Sequence, residues 1–168
     1  MLPGGGLRRG SITCVDGITG TSAVVLPLLA AATSTGEWGA VVDSSGTFGG
    51  LAALEAGVVL ERCALIRKAP PERWATVVSA LLEGMAIVIA TPPRHVRLAD
   101  ARRLLARTRE RQALLVVCGA WPAEAALRIL VEAGIWHGLE RGEGTLTHRD
   151  LTIRLEGRRR HGSHARAG

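Results

Sequence analysis

Short apolar runs recur along the first two-thirds of the chain and are separated by amphipathic segments. Five of these runs have the length of a single strand, and they cover residues 11–16, 38–43, 63–67, 85–90 and 113–118. Runs this short and this apolar are typical of parallel strands that are buried on both faces. The run at 85–90, MAIVIA, is the most evenly apolar, so we expect it in the middle of the sheet.

Helical patterns occupy the segments between these runs. Helices are predicted at residues 23–33, 51–56, 70–82 and 98–111. The third would bury Trp74, Val77, Val78 and Leu81, and the fourth would bury Leu98, Ala101, Leu104 and Leu105. Strands that alternate with helices predict βαβ units, and therefore an α/β fold with a mostly parallel twisted sheet.

The end of the chain has a different pattern. Residues 127–139 and 145–156 alternate polar and apolar positions, which predicts an antiparallel hairpin at the edge of the sheet. Residues 157–168 contain four arginines and no acid. We therefore expect one domain over residues 1–156, followed by a basic disordered tail over residues 157–168.

Composition narrows the function classes. The chain has 168 residues, and no apolar run approaches the 18 or more residues of a membrane span, so we expect a cytoplasmic protein with no membrane partner. Cys14, Cys63 and Cys118 lie in or beside apolar runs, as buried reduced thiols do, and neither the cysteines nor the histidines have metal-site spacing. Lys68 is the only lysine among 21 basic residues, so the net charge of +6 is weak evidence for a nucleic-acid partner.

The turn between the first strand and the first helix has the layout of a phosphate-binding loop. Gly17, Gly20, Thr21 and Ser22 would place N–H groups and hydroxyls at a helix N-terminus. The pattern G-x-x-x-x-G-K-[ST] requires four residues between its glycines and then a lysine. Here two residues separate the glycines, and Thr21 stands at the lysine position. A weak phosphate site and a simple turn capped by Thr21 and Ser22 are both open, and the second is favoured.

Other candidate functional residues are an acid at the end of a strand and a cluster of arginines. Asp43 ends the second strand and would either stabilise the next turn, which is favoured, or act as a ligand. The densest basic segment contains Arg94, Arg97, Arg102, Arg103 and Arg107, together with Arg109 and Arg111. It is interpreted first as a solvated helix face, then as a protein-docking face and last as a DNA contact.

The four tryptophans are predicted to have different roles. Trp38 and Trp74 lie in apolar patterns and are assigned to the core. Trp121 follows a strand on a short loop, and Trp136 lies on the predicted edge hairpin. Large aromatic side chains in such positions are frequent anchors of interfaces, so Trp121 and Trp136 are candidates for contact with a partner.

The order of these segments, together with LPGGGLRRGSITCVDG and the sequence that follows it, resembles the core of the RecA superfamily over residues 3–156. Within that superfamily the chain is similar to the actinobacterial ImuA-type accessory proteins of a mutagenesis cassette. The similarity rests on the LPGGGLRRGS opening, the turn at Trp121 and Pro122, and the W-x-G-L segment that begins at Trp136. Members of that family carry further residues before the opening, so we expect that the sequence lacks an N-terminal segment of the family.

The RecA resemblance implies three catalytic groups, and none of them is present. Thr21 replaces the lysine of the phosphate loop, and Ser44 and Ser45 stand where an acid would activate water. Ala90 and Thr91 stand where an aspartate would hold magnesium. We therefore expect no catalytic residues, no metal, no ATP cofactor and no enzymatic activity.

The ImuA-type resemblance implies a non-catalytic adaptor in the error-prone translesion synthesis complex, or mutasome, of the SOS response to DNA damage. Its partners would be an ImuB-type inactive Y-family polymerase homologue and, through it, an error-prone replicative-type polymerase and the sliding clamp. The complex would be associated with the nucleoid. Three alternatives stay open: a SulA-like cell-division inhibitor, a nucleotide-binding protein, and a DNA-binding module that uses the arginines of residues 94–111.

Overall fold

In the computed structural model, an eight-stranded sheet extends through the whole molecule in the order β3-β2-β4-β5-β1-β6-β7-β8. The structure describes residues 6–140, 143–157 and 165–167, and within these it describes side chains except at 133, 135–149 and 165–167. The strands are β1 Ser11–Asp16, β2 Gly39–Asp43, β3 Cys63–Arg67, β4 Ile87–Ala90, β5 Leu114–Cys118, β6 Leu127–Glu140, β7 Glu143–Gly157 and β8 Ala165–Ala167. The helices are α1 Thr21–Ser34, α2 Gly50–Glu55, α3 Trp74–Leu81 and α4 Leu98–Arg111, with a short 3-10 turn at Leu60–Arg62.

The pairing of the strands confirms the predicted fold class. In the order of the sheet, all neighbouring strands from β3 through β2, β4, β5 and β1 to β6 are parallel. At the other edge, β6 with β7 and β7 with β8 pair antiparallel. β4 lies between β2 and β5, and all four of its residues are buried, as its even apolar pattern predicted. The protein therefore has a mixed α/β fold with helices on both faces of the sheet.

The sheet separates two hydrophobic cores, and successive residues of the central strands point into one core and then the other. Cys14 contributes to the core that contains Trp74 and Leu104 of α3 and α4, whereas the neighbouring Val15 contributes to the core that contains Leu29 of α1. This follows from the alternation of side chains along a strand. A Cβ atom at Gly39 would lie 2.5 Å from Leu29 Cδ1, so a larger residue at this position would displace the Leu29 side chain of α1.

Three predictions about the core and the helix bounds were wrong. The third helix begins at Trp74, because the residues after Pro70 form a turn before the helix starts. Leu98 is the first residue of α4 and is 44% exposed, whereas Ala101 and Leu104 of the same helix are buried. Trp38 precedes β2 and is exposed, and its ring lies 6.0 Å from the Arg62 guanidinium carbon instead of in the core.

The predicted hairpin is present, and it extends the sheet. β6 pairs with β1 from Leu127 to Leu130, and it pairs with β7 from Leu127 to Glu140. Ala165–Ala167, assigned to the disordered tail from sequence, pair with β7 as β8. For residues 158–164 and 168, which lie outside the described residues, the disordered tail stays a prediction. Among the described residues, no helix is long and apolar enough to span a bilayer.

Candidate functional site

The segments that would form a nucleotide site meet at one edge of the sheet. β2, β4, β5 and β1 are parallel neighbours, so the segments that follow them leave the sheet on the same side. These segments are the turn before α1, the loop after Asp43, the loop that contains Arg94 and Arg97, and the turn at Gly119. Ligands of open parallel sheets bind at this carboxyl edge, so it is the candidate site.

The turn before α1 is open and carries no basic side chain. Gly20 is the N-cap of α1 with φ 87, and no side chain caps the helix. Thr21 and Ser22 were predicted as caps, and this was wrong, because Thr21 is already the first helical residue. Ile18, at the tip of the turn, is fully exposed. The helix N-terminus thus presents N–H groups, but no cation stands beside them in residues 17–22.

Asp16 places a carboxylate directly before this turn. Burial raises the pKa of Asp16, and the nearby Arg128 guanidinium partly offsets that shift. Arg128 lies on β6 and donates hydrogen bonds to the backbone oxygens of Trp121 and Ala123, both at 3.4 Å. When ionised, Asp16 opposes the binding of a phosphate at the adjacent helix N-terminus by like-charge repulsion. Asp16 and Arg128 were not among the predicted site residues, although an acid directly before a phosphate-type turn is a sequence signal against phosphate binding.

Gly17 is constrained by the hairpin. A Cβ atom at Gly17 would lie 2.8 Å from Val131 Cβ and 3.0 Å from the Val131 backbone oxygen. Close contact with β6 therefore explains this glycine without any ligand. The glycines of the turn have structural reasons of their own, namely the approach of Val131 at Gly17 and the left-handed backbone at Gly20.

Both carboxylate oxygens of Asp43 accept hydrogen bonds from the loop that follows it. One carboxylate oxygen, Oδ1, accepts hydrogen bonds from the N–H groups of Gly46 and Thr47 and from Ser45 Oγ, at 2.8, 3.1 and 3.0 Å. The other oxygen accepts a hydrogen bond from the Phe48 N–H at 2.9 Å. Although burial opposes the charged form, these hydrogen bonds together hold the pKa of Asp43 below its usual value. The prediction that Asp43 stabilises the next turn is confirmed.

The neighbouring strand end offers no acid. Ala90 ends β4 and is buried, and Thr91 follows it with its backbone N–H bonded to the Val42 oxygen at 3.0 Å. Among the described residues, no group of three His, Cys, Asp or Glu side chains could hold a metal ion. The described part of this edge therefore contains neither a lysine at the helix nor an acid after β4.

The basic segment divides into two parts. Arg103 lies 3.8 Å from Asp100, Arg107 lies within 3.1 Å of Glu83 and Glu110, and Arg111 lies 2.5 Å from Glu83. These are ion pairs along the solvent side of α4, as the solvated-face interpretation predicts. Arg94, Arg97 and Arg102 are exposed, and they take part in no ion pair found in the described chain.

The structure describes the side chain of only one of the two tryptophans that were predicted to contact a partner. The Trp121 side chain is only 6% exposed and belongs to the same core as Trp74, so the prediction that it reaches a partner was wrong. The indole N–H of this buried side chain has no hydrogen-bond acceptor among the described residues. Trp136 belongs to β6 opposite Arg149, but its side chain lies outside the described residues.

Comparisons with known proteins agree with this fold. The chain belongs to the family described as the MT3502 N-terminal domain, whose model matches residues 1–123. A solved structure described as the RadB recombinase has a TM-score of 0.63 and 18% sequence identity, and the match covers 97% of this chain and 89% of that one. SulA from Pseudomonas aeruginosa has a TM-score of 0.51 and 14% identity, over 64% of this chain and 98% of that one. The fold is therefore RecA-like.

No curated protein sequence matches the chain significantly. At these levels of identity, the two solved structures establish the arrangement of strands and helices and nothing about chemistry. The ImuA-type resemblance is not addressed by any of the matches and stays a prediction.

Proposed function

We propose that the protein is a non-catalytic RecA-like adaptor in an error-prone translesion synthesis complex that produces DNA damage-induced mutations. The observation that carries the non-catalytic part is the use of Asp43, the acid that ends β2, as an acceptor for three backbone N–H groups of its own loop. A carboxylate held in this way is not available to activate water. Thr21 supplies no charge at the helix N-terminus, and Asp16 adds a negative one.

The adaptor part of the proposal is supported by the RecA-like sheet and its two hydrophobic cores. A RecA-like sheet with two hydrophobic cores surrounds an edge where the described residues supply neither a lysine at α1 nor an acid after β4, and such a scaffold can serve recognition instead of chemistry. The resemblance to ImuA-type proteins supplies the partners: the ImuB-type inactive polymerase homologue, and through it the error-prone polymerase and the sliding clamp. In this proposal the protein acts in the cytoplasm and joins the nucleoid with the complex.

Two measurements test the two parts separately. Titration calorimetry of the full chain with ATP and Mg²⁺ is expected to show no heat of binding up to millimolar nucleotide, and micromolar binding would refute the inactive site. Co-elution with the purified polymerase homologue in size-exclusion chromatography is expected to give a complex. The absence of a complex at tens of micromolar of both proteins would refute the adaptor role.

A SulA-like role is the second candidate, and it is favoured by one observation. The match to SulA covers 98% of that protein, so the whole of SulA corresponds to a part of this chain. Such a role requires binding to a tubulin-like division protein. The same co-elution experiment with the division protein discriminates, because each role predicts a complex with one protein and none with the other.

Direct DNA binding is a third candidate, and it depends on Arg94, Arg97 and Arg102. These side chains are exposed, and the described chain supplies them with no acidic partner. Anisotropy of labelled single-stranded DNA would detect this mode. Binding that weakens with salt and is lost on replacing Arg97 and Arg102 by Ala would favour DNA contact, whereas equal behaviour of the variant and the parent would exclude this surface.

A further inference from the structure

The connection between β5 and β6 is short for a parallel sheet. β1 lies between these two strands, so residues 119–126 cross over it. Crossovers between parallel strands usually have a dozen or more residues and contain a helix. This crossover has eight residues, 119–126, and none of them is helical. The position on the sheet where a crossover helix would ordinarily pack is therefore covered only by an irregular segment.

The crossover and α4 lie on the same face of the sheet. Trp121 of the crossover and Leu104 of α4 belong to one hydrophobic core. α3 leads into β4 and the crossover leaves β5, so they lie on opposite sides of α4, which joins those two strands. On the α3 side, Glu83 forms ion pairs with Arg107 and Arg111. α4 therefore has a helix along one side and the helix-free crossover along the other.

The side of α4 toward the crossover carries alternating leucines and arginines. Four residues spaced by four, three and four positions line up along this side of the helix, and they are Leu98, Arg102, Leu105 and Arg109. Arg107, which contacts the end of α3, follows Leu105 by two residues, and this spacing corresponds to a rotation of about 200° around the helix. Leu98 is 44% exposed, and Leu105 is half-buried against the core. The four residues are called the crossover side of α4 below.

The arginines of α4 differ in their electrostatic partners. Arg103, Arg107 and Arg111 form ion pairs with nearby acids. Arg102 and Arg109 are exposed, and neither takes part in an ion pair found in the described part of the chain. These two unneutralised charges are seven residues apart, or about 10.5 Å along the helix axis. The complement of the crossover side is therefore an apolar surface that carries two carboxylates at this spacing.

We propose that an acidic amphipathic helix of a partner protein packs along the crossover side of α4, in the place that a crossover helix would occupy. Its apolar stripe contacts Leu98 and Leu105, and two of its carboxylates pair with Arg102 and Arg109. A helix fits this surface because its own residues seven apart share one side and have the same spacing as the two arginines. The inference rests on the proposed adaptor function, because it names a surface by which the adaptor holds a partner.

The probe is a peptide selected against the full chain from a phage-displayed library of amphipathic helices. We expect enriched peptides to carry two acids seven residues apart beside an apolar stripe. A photoreactive residue placed in the apolar stripe of the synthetic peptide should cross-link to α4 or to residues 119–126, and mass spectrometry maps the cross-link.

Two neighbouring arginines give a matched pair of variants. Arg102→Glu reverses a charge on the crossover side and should weaken peptide binding at least about tenfold. Arg103→Glu makes the same change in net charge about 100° further around the helix, and it should leave the affinity within about twofold. The double variant Arg102→Glu with Arg109→Glu should instead prefer a peptide in which lysines replace the two acids.

Circular dichroism checks that each variant is folded, and Arg102→Ala replaces Arg102→Glu if the latter does not fold. Selection that yields no binder, cross-links to other elements, or equal losses of affinity in Arg102→Glu and Arg103→Glu would each overturn the inference. If single-stranded DNA binds the parent more tightly than any selected peptide and competes with it, the arginines serve a nucleic acid, and the partner helix is overturned.

The polymerase homologue distinguishes this inference from the proposed function. If the homologue binds the parent and Arg102→Glu equally well, the adaptor role stands and the crossover side is wrong. If peptides bind at the crossover side but the homologue does not bind the parent, the crossover side stands and the polymerase partner is wrong. Binding of the homologue that is lost in Arg102→Glu and kept in Arg103→Glu supports both.

Discussion

The Phe48 backbone N–H donates a hydrogen bond to the Asp43 carboxylate across 2.9 Å, and this bond closes the loop that follows β2. The same carboxylate accepts hydrogen bonds from Gly46 and Thr47, so one buried side chain organises five residues of backbone. The RecA resemblance implies a catalytic acid directly after this strand, where Ser44 and Ser45 stand. Asp43, the last residue of the strand, stabilises the loop, and this role underlies the first prediction.

Replacement of Asp43 by Asn should destabilise the fold by about 1–3 kcal/mol, because an amide NH₂ cannot accept the hydrogen bonds that one carboxylate oxygen accepts. Urea unfolding followed by circular dichroism measures the change. Asp100→Asn is the matched control. Its carboxyl group lies near Arg103 at the surface, so the loss should stay below about 1 kcal/mol. Equal losses in the two variants would contradict the structural role of Asp43.

The lowered pKa of Asp43 also predicts a dependence on pH. A carboxyl group whose pKa is lower in the folded state stabilises the fold above its unfolded pKa, which is near 3.8. That contribution is lost as the pH falls from about 5 through the lower folded pKa. Unfolding free energies of the parent and Asp43→Asn should therefore converge in acid and separate toward pH 7. A constant difference from pH 3 to pH 7 would show that Asp43 does not ionise with a lowered pKa.

The two leucines of α4 give a matched test of the core. Leu104 is buried against the sheet, and Leu104→Ala should lower the free energy of unfolding by about 2–5 kcal/mol through lost burial and a cavity. Leu98→Ala, at the exposed start of the same helix, should change it by less than about 0.5 kcal/mol. Thermal unfolding of both variants measures these changes. A large decrease in the free energy of unfolding for Leu98→Ala would show that the first turn of α4 packs against the core.

Restoring a lysine to the turn should not restore nucleotide binding. Thr21→Lys supplies the charge of a phosphate loop, but the turn stays two residues short, and Asp16 remains beside it. Calorimetry with ATP and Mg²⁺, together with release of inorganic phosphate, is expected to show no binding below about millimolar concentration and no turnover. Micromolar binding by Thr21→Lys would mean that the turn has kept the geometry of a phosphate loop.

The cysteines should react slowly in the folded protein. Burial is the main cause that raises the pKa of Cys14 to about 11 and that of Cys118 to about 12, and it raises the pKa of Cys63 as well. A raised pKa keeps a thiol neutral, so at pH 8 only about a thousandth of Cys14 is the reactive thiolate. Labelling with a maleimide, read by mass spectrometry, should be much faster in urea than in buffer. Rapid native labelling of Cys14 would contradict its burial.

Sequence patterns predicted the bounds of several elements correctly. β1, β3 and α4 have the bounds that the apolar and helical patterns indicated, and β4 lies mid-sheet as expected. An apolar run of five or six residues between turns has few other stable arrangements in water. The sequence also showed that position 21 is not a lysine and position 91 is not an acid, because the identity of a residue does not depend on the tertiary structure.

Tertiary structure alone decided which side chains are covered. Trp38 precedes β2 and Leu98 begins α4, and both are exposed although they belong to apolar patterns. Trp121 lies on a loop but is buried in the core that contains Trp74. Contacts between residues distant in sequence, such as Gly17 with Val131, depend on strand order, which local patterns do not encode. The sequence by itself determined most of the elements and showed that no lysine stands at position 21 and no acid at position 91. Strand order decided that α4 lies between α3 and the helix-free crossover, because burial depends on which neighbours an element finally acquires.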